Sequence, residues 1–584
     1  MNNGRRQEAH RVRVAAAELA ESRPHPQHLA NGDEQRFASS AFAMSFTKGL
    51  EHCPETGLLL RPDDFVAFRR AIDEGYIDPF TDNVRSAPRR ERAWEAPTAG
   101  VTFDLEGPDA QAVTMPPAPQ LGSDELTYEM AEVYELALLR DVDLSQFQGG
   151  QAGPELQASI DRLNALAYTA SGFPGRPRKA GDCGIDAQTA FRGSSPGVEV
   201  GPYLSQFMLI GNDLPERRGI DHGLIQYGAL TIDQRVPVAA PVDYLTDFDD
   251  WLEVQDGADV RDNATLFSGK APRRFITSPR DLATYVHDDA LYEAYLNACL
   301  ILLAMGTPFD RGFDHLSGKG VRTAGGVERA RAAGGFALYG GPHILTLVTE
   351  VATRALKAVR YQKFNNHIRL RPEALSGRID RATAICQRFP QVGAAFQALG
   401  EAVGETLVAV REHNGSPAGS ALLPMAFQEG SPMHPAYGAG HAAVAGACTT
   451  VLKAFFDTDS VLVRRAAPGG KRGGSKAKIE LFDRFQPGDD PVHYVSVQGG
   501  ASLSRNVGGA FLTLEGELNK LAANISIGRN MAGVHYFSDY FDSVRMGEQI
   551  AIELLEEQAL GYSTDPFVLS LTTFDGDTVR IGAR

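Results

Sequence analysis

From Asp281 to Leu560 the chain repeats one pattern, long stretches in which apolar residues return at helical spacing: Asp281–Ala304, His343–Gln362, Asp380–Val410, Gly440–Phe456, Ser504–Ala523 and Tyr536–Leu560. Such a run predicts a bundle of long helices in the C-terminal half, so the fold class is mainly α. The least polar stretch, Ala436–Phe456, is made largely of Ala, Gly and Thr and contains His441 and Lys453. It predicts a tightly packed buried helix, and no run reaches the ~18 apolar residues of a membrane span.

The N-terminal half is less regular. Residues 1–40 are polar and predict a mobile arm. Residues 41–279 read as a loop-rich N-terminal part of the helical fold, continuous with residues 280–584, which form the bundle. Within it Phe46–Gly122 predicts an irregular arm wrapped on a larger body. Ser123 predicts an N-cap, with Asp124 and Glu125 in the first turn and Leu126, Met130, Val133 and Ala137 at helical spacing behind it. Tyr203–Ile210 reads equally as a strand or a short helix. Gly306–Gly341 and Asp457–Gly500 are Gly-rich, charged insertions. The second contains PGGKRGGSKAK, which lacks the GxxxxGK[ST] order of a phosphate loop and predicts a solvated loop. Val568–Ile581 alternates around Asp575-Gly576 and predicts a small C-terminal β-hairpin.

Charge restricts the partners. Lys plus Arg is 57 and Asp plus Glu is 73, a net charge of −16, which at long range repels nucleic acid and anionic membranes. A bound anion must therefore be drawn by a local cluster of positive groups. The cysteines, Cys53, Cys183, Cys299, Cys386 and Cys448, are odd in number and widely spaced, and predict buried free thiols rather than disulfides or a zinc site. Val14–Ala20 is too short for a secretory segment and is broken by Glu18. The compartment reads as cytoplasmic, with periplasmic export left open.

Cations and imidazoles concentrate in three segments. In Lys363-FNNHIRL-Arg371-Pro372 two cations stand eight positions apart, close to two helical turns, and the Pro is expected to end the helical run. Ser431-Pro-Met-His434-Pro-Ala-Tyr-Gly-Ala439-Gly440-His441 is a small-residue turn opening the low-polarity helix, so its free N–H groups offer an anion site beside two imidazoles. Gly528-Arg529-Asn-Met-Ala-Gly-Val-His535 leads into another helix, and Asp539, one turn beyond His535, is placed to bond the far ring nitrogen.

Together these segments resemble the signature shared by vanadium-dependent haloperoxidases and type-2 phosphatidic acid phosphatases. The seven residues between Lys363 and Arg371, and a His seven positions before His441, are closer to the bromoperoxidase branch. The resemblance spans Lys363 to Asp539 and implies the large helical fold of that superfamily.

The resemblance also implies roles. Vanadate would be bound through His535, with Lys363, Arg371, Arg529 and the Gly440 N–H on its oxygens, Ala439 beside them and Asp539 behind His535. His441 would be the acid–base residue toward hydrogen peroxide. Lys363 and His434 would join it as catalytic groups, and the imidazole at His434 favours bromide and iodide. Hypohalous acid would then halogenate small organic acceptors. In Gly438-Ala439-Gly440-His441 an alanine replaces the family's serine, predicting weaker vanadate binding, and Gly528 also replaces a usual serine. The alternative enzyme is a phosphomonoesterase of the same superfamily, with His535 as nucleophile. Relatives commonly form dimers or larger assemblies, so a homo-oligomer is expected.

Overall fold

The computed structural model describes residues 2–150, 152–181, 184–213, 219–262, 267, 272–317, 322–323, 326–327, 333–415, 419–466, 478–562 and 568–582. Nine helices position the site and are labelled here: α1 (Asn2–Ser22), α2 (Asp124–Leu138), α3 (Pro279–Asp288), α4 (Glu293–Met305), α5 (Gly341–Arg360), α6 (Pro372–Asp380), α7 (Gly440–Phe455), α8 (Leu514–Met531) and α9 (Phe537–Ala559).

The centre of the bundle is α7, packed against α5, α8 and above all α9. Its Ala and Gly content is what permits this. A Cβ built on Gly446 would lie 1.9 Å from Val544 O, and one on Gly547 would lie 2.0 Å from Ala443 O. At this crossing the two helices meet backbone to backbone, and a side chain at either glycine would force them apart at a cost of at least about 1–3 kcal/mol. One apolar core joins these helices to residues from Phe37 to Ile581. No helix among the described residues is long and apolar enough to cross a membrane.

The cap at Ser123 forms as expected, its Oγ accepting from Leu126 N at 3.2 Å. The C-terminal hairpin is also present, Val568–Thr572 paired antiparallel with Thr578–Gly582. Cys53, Cys299 and Cys448 are buried free thiols, Cys386 is half-buried, and Cys183 lies outside the described residues. Tyr203–Ile210 is neither a strand nor a regular helix but carries a 3-10 turn at Gln206–Met208.

Several expectations need correction. The polar arm of residues 1–40 contains the helix α1, and just past its end Arg23 is fastened to α9 by Glu557 (2.7 Å) and Glu556 (2.8 Å). The predicted helix Asp281–Ala304 is two helices, because the charged run His287-Asp288-Asp289 breaks the apolar period. Asp380–Val410 is likewise cut by Pro390 and by Gly404 at φ 63° into Ala382–Arg388, Pro390–Val403 and Glu405–His413. The expected helix Ser504–Ala523 starts late. Its first residues form a strand, and α8 begins at Leu514 with Thr513 as cap. The expected loop Asp457–Gly500 contributes three strands, Val461–Ala466, Lys478–Asp483 and Asp490–Val497, to a four-stranded antiparallel sheet completed by Ser502–Val507. The run GGKRGG within it lies outside the described residues.

Candidate active site

Three chain breaks build the site. At the first, α5 passes into a π-helical turn, Tyr361–His367, which ends at Ile368 in the left-handed region with φ 47°. Lys363 lies in that turn and Arg371 is the residue before α6. Pro372 therefore opens a helix instead of closing one, since Pro at N1 has no N–H to leave unpaired. The two cations converge because the chain reverses between them, not because they share a helix face.

At the second break the turn Ser431–Ala439 enters α7. Lys363 Nζ donates to Pro435 O (2.6 Å) and Ala436 O (3.0 Å). Arg371 Nε donates to His434 O (3.0 Å), and Nη2 to His434 Nδ1 (2.7 Å). The turn is held from outside by Lys48, which donates to Glu373 Oε1 (2.7 Å), Glu429 O (3.0 Å) and Ser431 O (2.8 Å). Ala439, the N-cap of α7, has no side chain to accept from the first turn, so those N–H groups keep their positive field for a ligand.

At the third break α8 ends just beyond Arg529, and His535 stands before α9. His535 Nδ1 lies 2.7 Å from Asp539 Oδ2, as the sequence predicts. Asp539 also accepts from Tyr536 N (3.1 Å) and Arg369 Nη1 (2.9 Å), and Arg369 Nη2 pairs with Glu129 on α2. An acceptor so engaged assigns the proton to Nδ1 and leaves Nε2 with its lone pair, 3.0 Å from Arg371 Nη1.

These groups meet at a cavity of about 550 Å³, whose wall includes Gly440, His441, His434, Arg529 and His535. His441 Nε2 is 2.9 Å from Asp289 Oδ1, in the break between α3 and α4. Arg529 Nη1 donates to Val286 O (2.7 Å), while its Nε is buried without a partner in the protein. Burial, then Arg371 and Arg360, depress Lys363 well below the usual lysine range. Burial, with Arg529 beside it, holds Arg371 down at about 9. Burial keeps His535 and His434 neutral, His535 mainly beside Arg371 and His434 mainly beside Arg360. Burial lowers His441 as well, against the opposing pull of Asp289. His287 is the exception: burial opposes its charge, but hydrogen bonds to Asp288 (3.0 Å) and Glu429 (2.8 Å) lift it to about 9.

Every residue the sequence selected for the site, Lys363, Arg371, His434, Ala439, Gly440, His441, Arg529, His535 and Asp539, falls at these three breaks. The residues it missed are Asp289, Arg369, Glu129, Glu95, Arg360 and His287. Only the charged run at 287–289, inside an otherwise apolar helical period, carried a visible signal. At the alanine where the sequence pattern expects a serine, Ala439 N donates to Ser543 Oγ (2.9 Å) on α9. Gly528 faces α3, where an added Cβ would meet Leu282 Cγ at 3.1 Å, so this substitution concerns packing.

A cluster of cations whose proton affinity burial lowers, with an orphaned guanidinium N–H, a helix N-terminus and one imidazole nitrogen that keeps its lone pair, fits a tetrahedral or bipyramidal oxyanion able to accept a nitrogen ligand.

Comparison with known proteins agrees. A family model described as the VCPO second helical-bundle domain matches residues 409–559. A vanadium-dependent bromoperoxidase of Corallina pilulifera is 43% identical over 98% of this chain and 97% of its own. That of Corallina officinalis is 42% identical over 98% and 97%. The solved homohexameric structure of the second vanadate-dependent bromoperoxidase of Ascophyllum nodosum superposes with a TM-score of 0.74 at 26% identity, covering 100% of this chain and 91% of that one.

Proposed function

The chain belongs to the vanadium-dependent bromoperoxidases, and we propose that its cavity serves the oxidation of bromide and iodide by hydrogen peroxide to hypohalous acid, which halogenates small organic acceptors. The observation that carries the reading is His535: a neutral imidazole with Nδ1 committed to Asp539 and the Nε2 lone pair facing Arg371 Nη1 at 3.0 Å, in the field of Lys363 and Arg529.

Bound there, vanadate would supply Lewis acidity toward hydrogen peroxide without a change of its own oxidation state. The residues have distinct tasks. His535 Nε2 would hold the metal. Lys363, Arg371 and Arg529, with the Gly440 N–H, would neutralise and orient the oxygens. His441, kept neutral by burial and oriented by Asp289, takes the peroxide proton. His434 is fixed by Arg371 on Nδ1, so its remaining ring N–H points to the halide side of the cavity, near Glu95.

We read the protein as a homo-oligomer, dimer or larger, as the hexameric relative suggests. The test is a bromide-dependent halogenation assay with and without vanadate, run beside a phosphate-ester hydrolysis assay. Activity that requires vanadate, peroxide and bromide is expected. Hydrolysis of the ester with no halogenation would overturn the reading and favour the phosphomonoesterase alternative.

A further inference from the structure

Glu95 enters the cavity from the irregular segment before α2, which also brings Arg92 to its wall, far in sequence from the three breaks that build the site. Its backbone N–H donates to Met433 O (3.1 Å), beside His434, and the indole Nε1 of its neighbour Trp94 donates to Lys48 O (2.9 Å). Ala96, which follows, takes φ 48°, the left-handed region that costs a residue with a Cβ about 1–2 kcal/mol. Such strain persists only where surrounding contacts over-determine it, and here it sets the turn from which Glu95 joins the cavity wall.

The carboxylate is not closed into a pair. Oε2 lies 3.4 Å from His434 Nε2 and 3.7 Å from Arg360 Nη2, longer than the ~2.7–2.9 Å of a charge-assisted hydrogen bond, and the side chain is 45% exposed. The inner carboxylates differ. Asp539 is bonded to His535 and Arg369, and Asp289 to His441. Glu95 nevertheless reaches the cluster, since its charge favours the protonated forms of Lys363, Arg360, Arg371 and Arg529 against the burial that lowers all four.

The other carboxylates of the wall, Asp289, Asp288 and Glu429, are already bonded to His441 and His287, so without Glu95 the cations of this cavity would retain any small anion that entered, whether substrate, product or competing phosphate. A neutral molecule such as hydrogen peroxide would pass unaffected. We infer that Glu95 is a specificity-determining residue, a half-exposed counter-charge that weakens the hold of the cation cluster on halide and on free oxyanions while leaving peroxide untouched. The inference rests on the reading of this cavity as the bromoperoxidase site.

The test is Glu95→Gln, which keeps shape and removes charge. The expected result is a bromide KM about three- to tenfold lower with the peroxide KM unchanged, the size of effect one unit charge exerts through an effective dielectric between those of protein surface and water. The vanadium-free variant should bind inorganic phosphate more tightly by a similar factor in calorimetry, a difference that shrinks as salt is added. Glu95→Asp, which retains the charge, should stay near the parent. Bromide KM and phosphate affinity within twofold of the parent in Glu95→Gln, or a shift as large in Glu95→Asp, would overturn the inference. A parent protein that oxidises no bromide would instead sink the functional reading, and the phosphate measurement would still decide the role of the charge.

Discussion

At the back of the cavity His535, Asp539, Arg369 and Glu129 form an unbroken chain of buried contacts, each polar atom held between helices α2 and α9 and the turn before α6. At the mouth His287, Asp288, Glu429 and Glu95 come from helix ends and irregular segments, and Asp288 and Glu95 are 53% and 45% exposed. The difference teaches where charge is strong. A cation at the back acts across little water, so each group there should be worth orders of magnitude; a charge at the mouth is screened and should tune by small factors.

The comparison breaks most readily at His535. His535→Ala removes the imidazole nitrogen proposed to hold the metal, and retention of vanadate after gel filtration should fall at least about a hundredfold, with activity lost alongside. His441→Ala should separate binding from turnover. Vanadate is retained while kcat drops by the ~10²–10⁴ typical of a missing acid–base group. If both variants lost vanadate equally, the back of the cavity would be acting as one unit and the assigned roles would fail.

Two smaller changes sharpen the contrast. Ala439→Ser restores a hydroxyl at the α7 N-cap, and a hydrogen bond to a charged oxygen, worth about 1.5–3 kcal/mol, should tighten vanadate binding by roughly tenfold or more in equilibrium dialysis. Capture of that hydroxyl by the helix's own N–H groups would show as higher Tm without tighter binding. Asp289→Asn should lower kcat about tenfold or less and move the acid limb of the pH profile downward. The sign follows from the contacts: Asp289 raises the proton affinity of His441, so without that charge His441 stays neutral, and competent as a base, to lower pH. An acid limb that moved upward would show that Asp289 acts otherwise.

The same division explains what the sequence could disclose. Lys363, Arg371, His441, Arg529, His535 and Asp539 were legible because each lies at a fixed interval from a helix end, and those intervals survive as a pattern. Glu95, Arg369 and Glu129 were not. Their partners are distant in sequence, with 240 positions between Arg369 and Glu129, and nothing local marks a side chain whose partner is supplied by the tertiary fold. Helix boundaries failed for related reasons. Asp289 was hidden because a helical period was carried through the charged run at 287–289, and the sheet after Asp457 was missed because Gly and charge at its turns outweighed the apolar run Val461–Val463 and the alternation within Asp490–Val497. The convergence of Lys363 and Arg371 was anticipated for the wrong geometric reason, since a π-turn and a left-handed Ile368 replace a continuous helix.

The glycine crossing of α7 and α9 bears on how a bound anion escapes. Where two backbones touch at Gly446 and Gly547 there is no soft side chain to yield, so amide hydrogens on both helices should exchange with deuterium only through global unfolding. The helix end proposed to hold the anion then has no private breathing motion. Release must run outward past Glu95 and His287, and its half-life becomes a property of the solution bathing the mouth, shortened by added salt, rather than of the stiffness of the scaffold behind it.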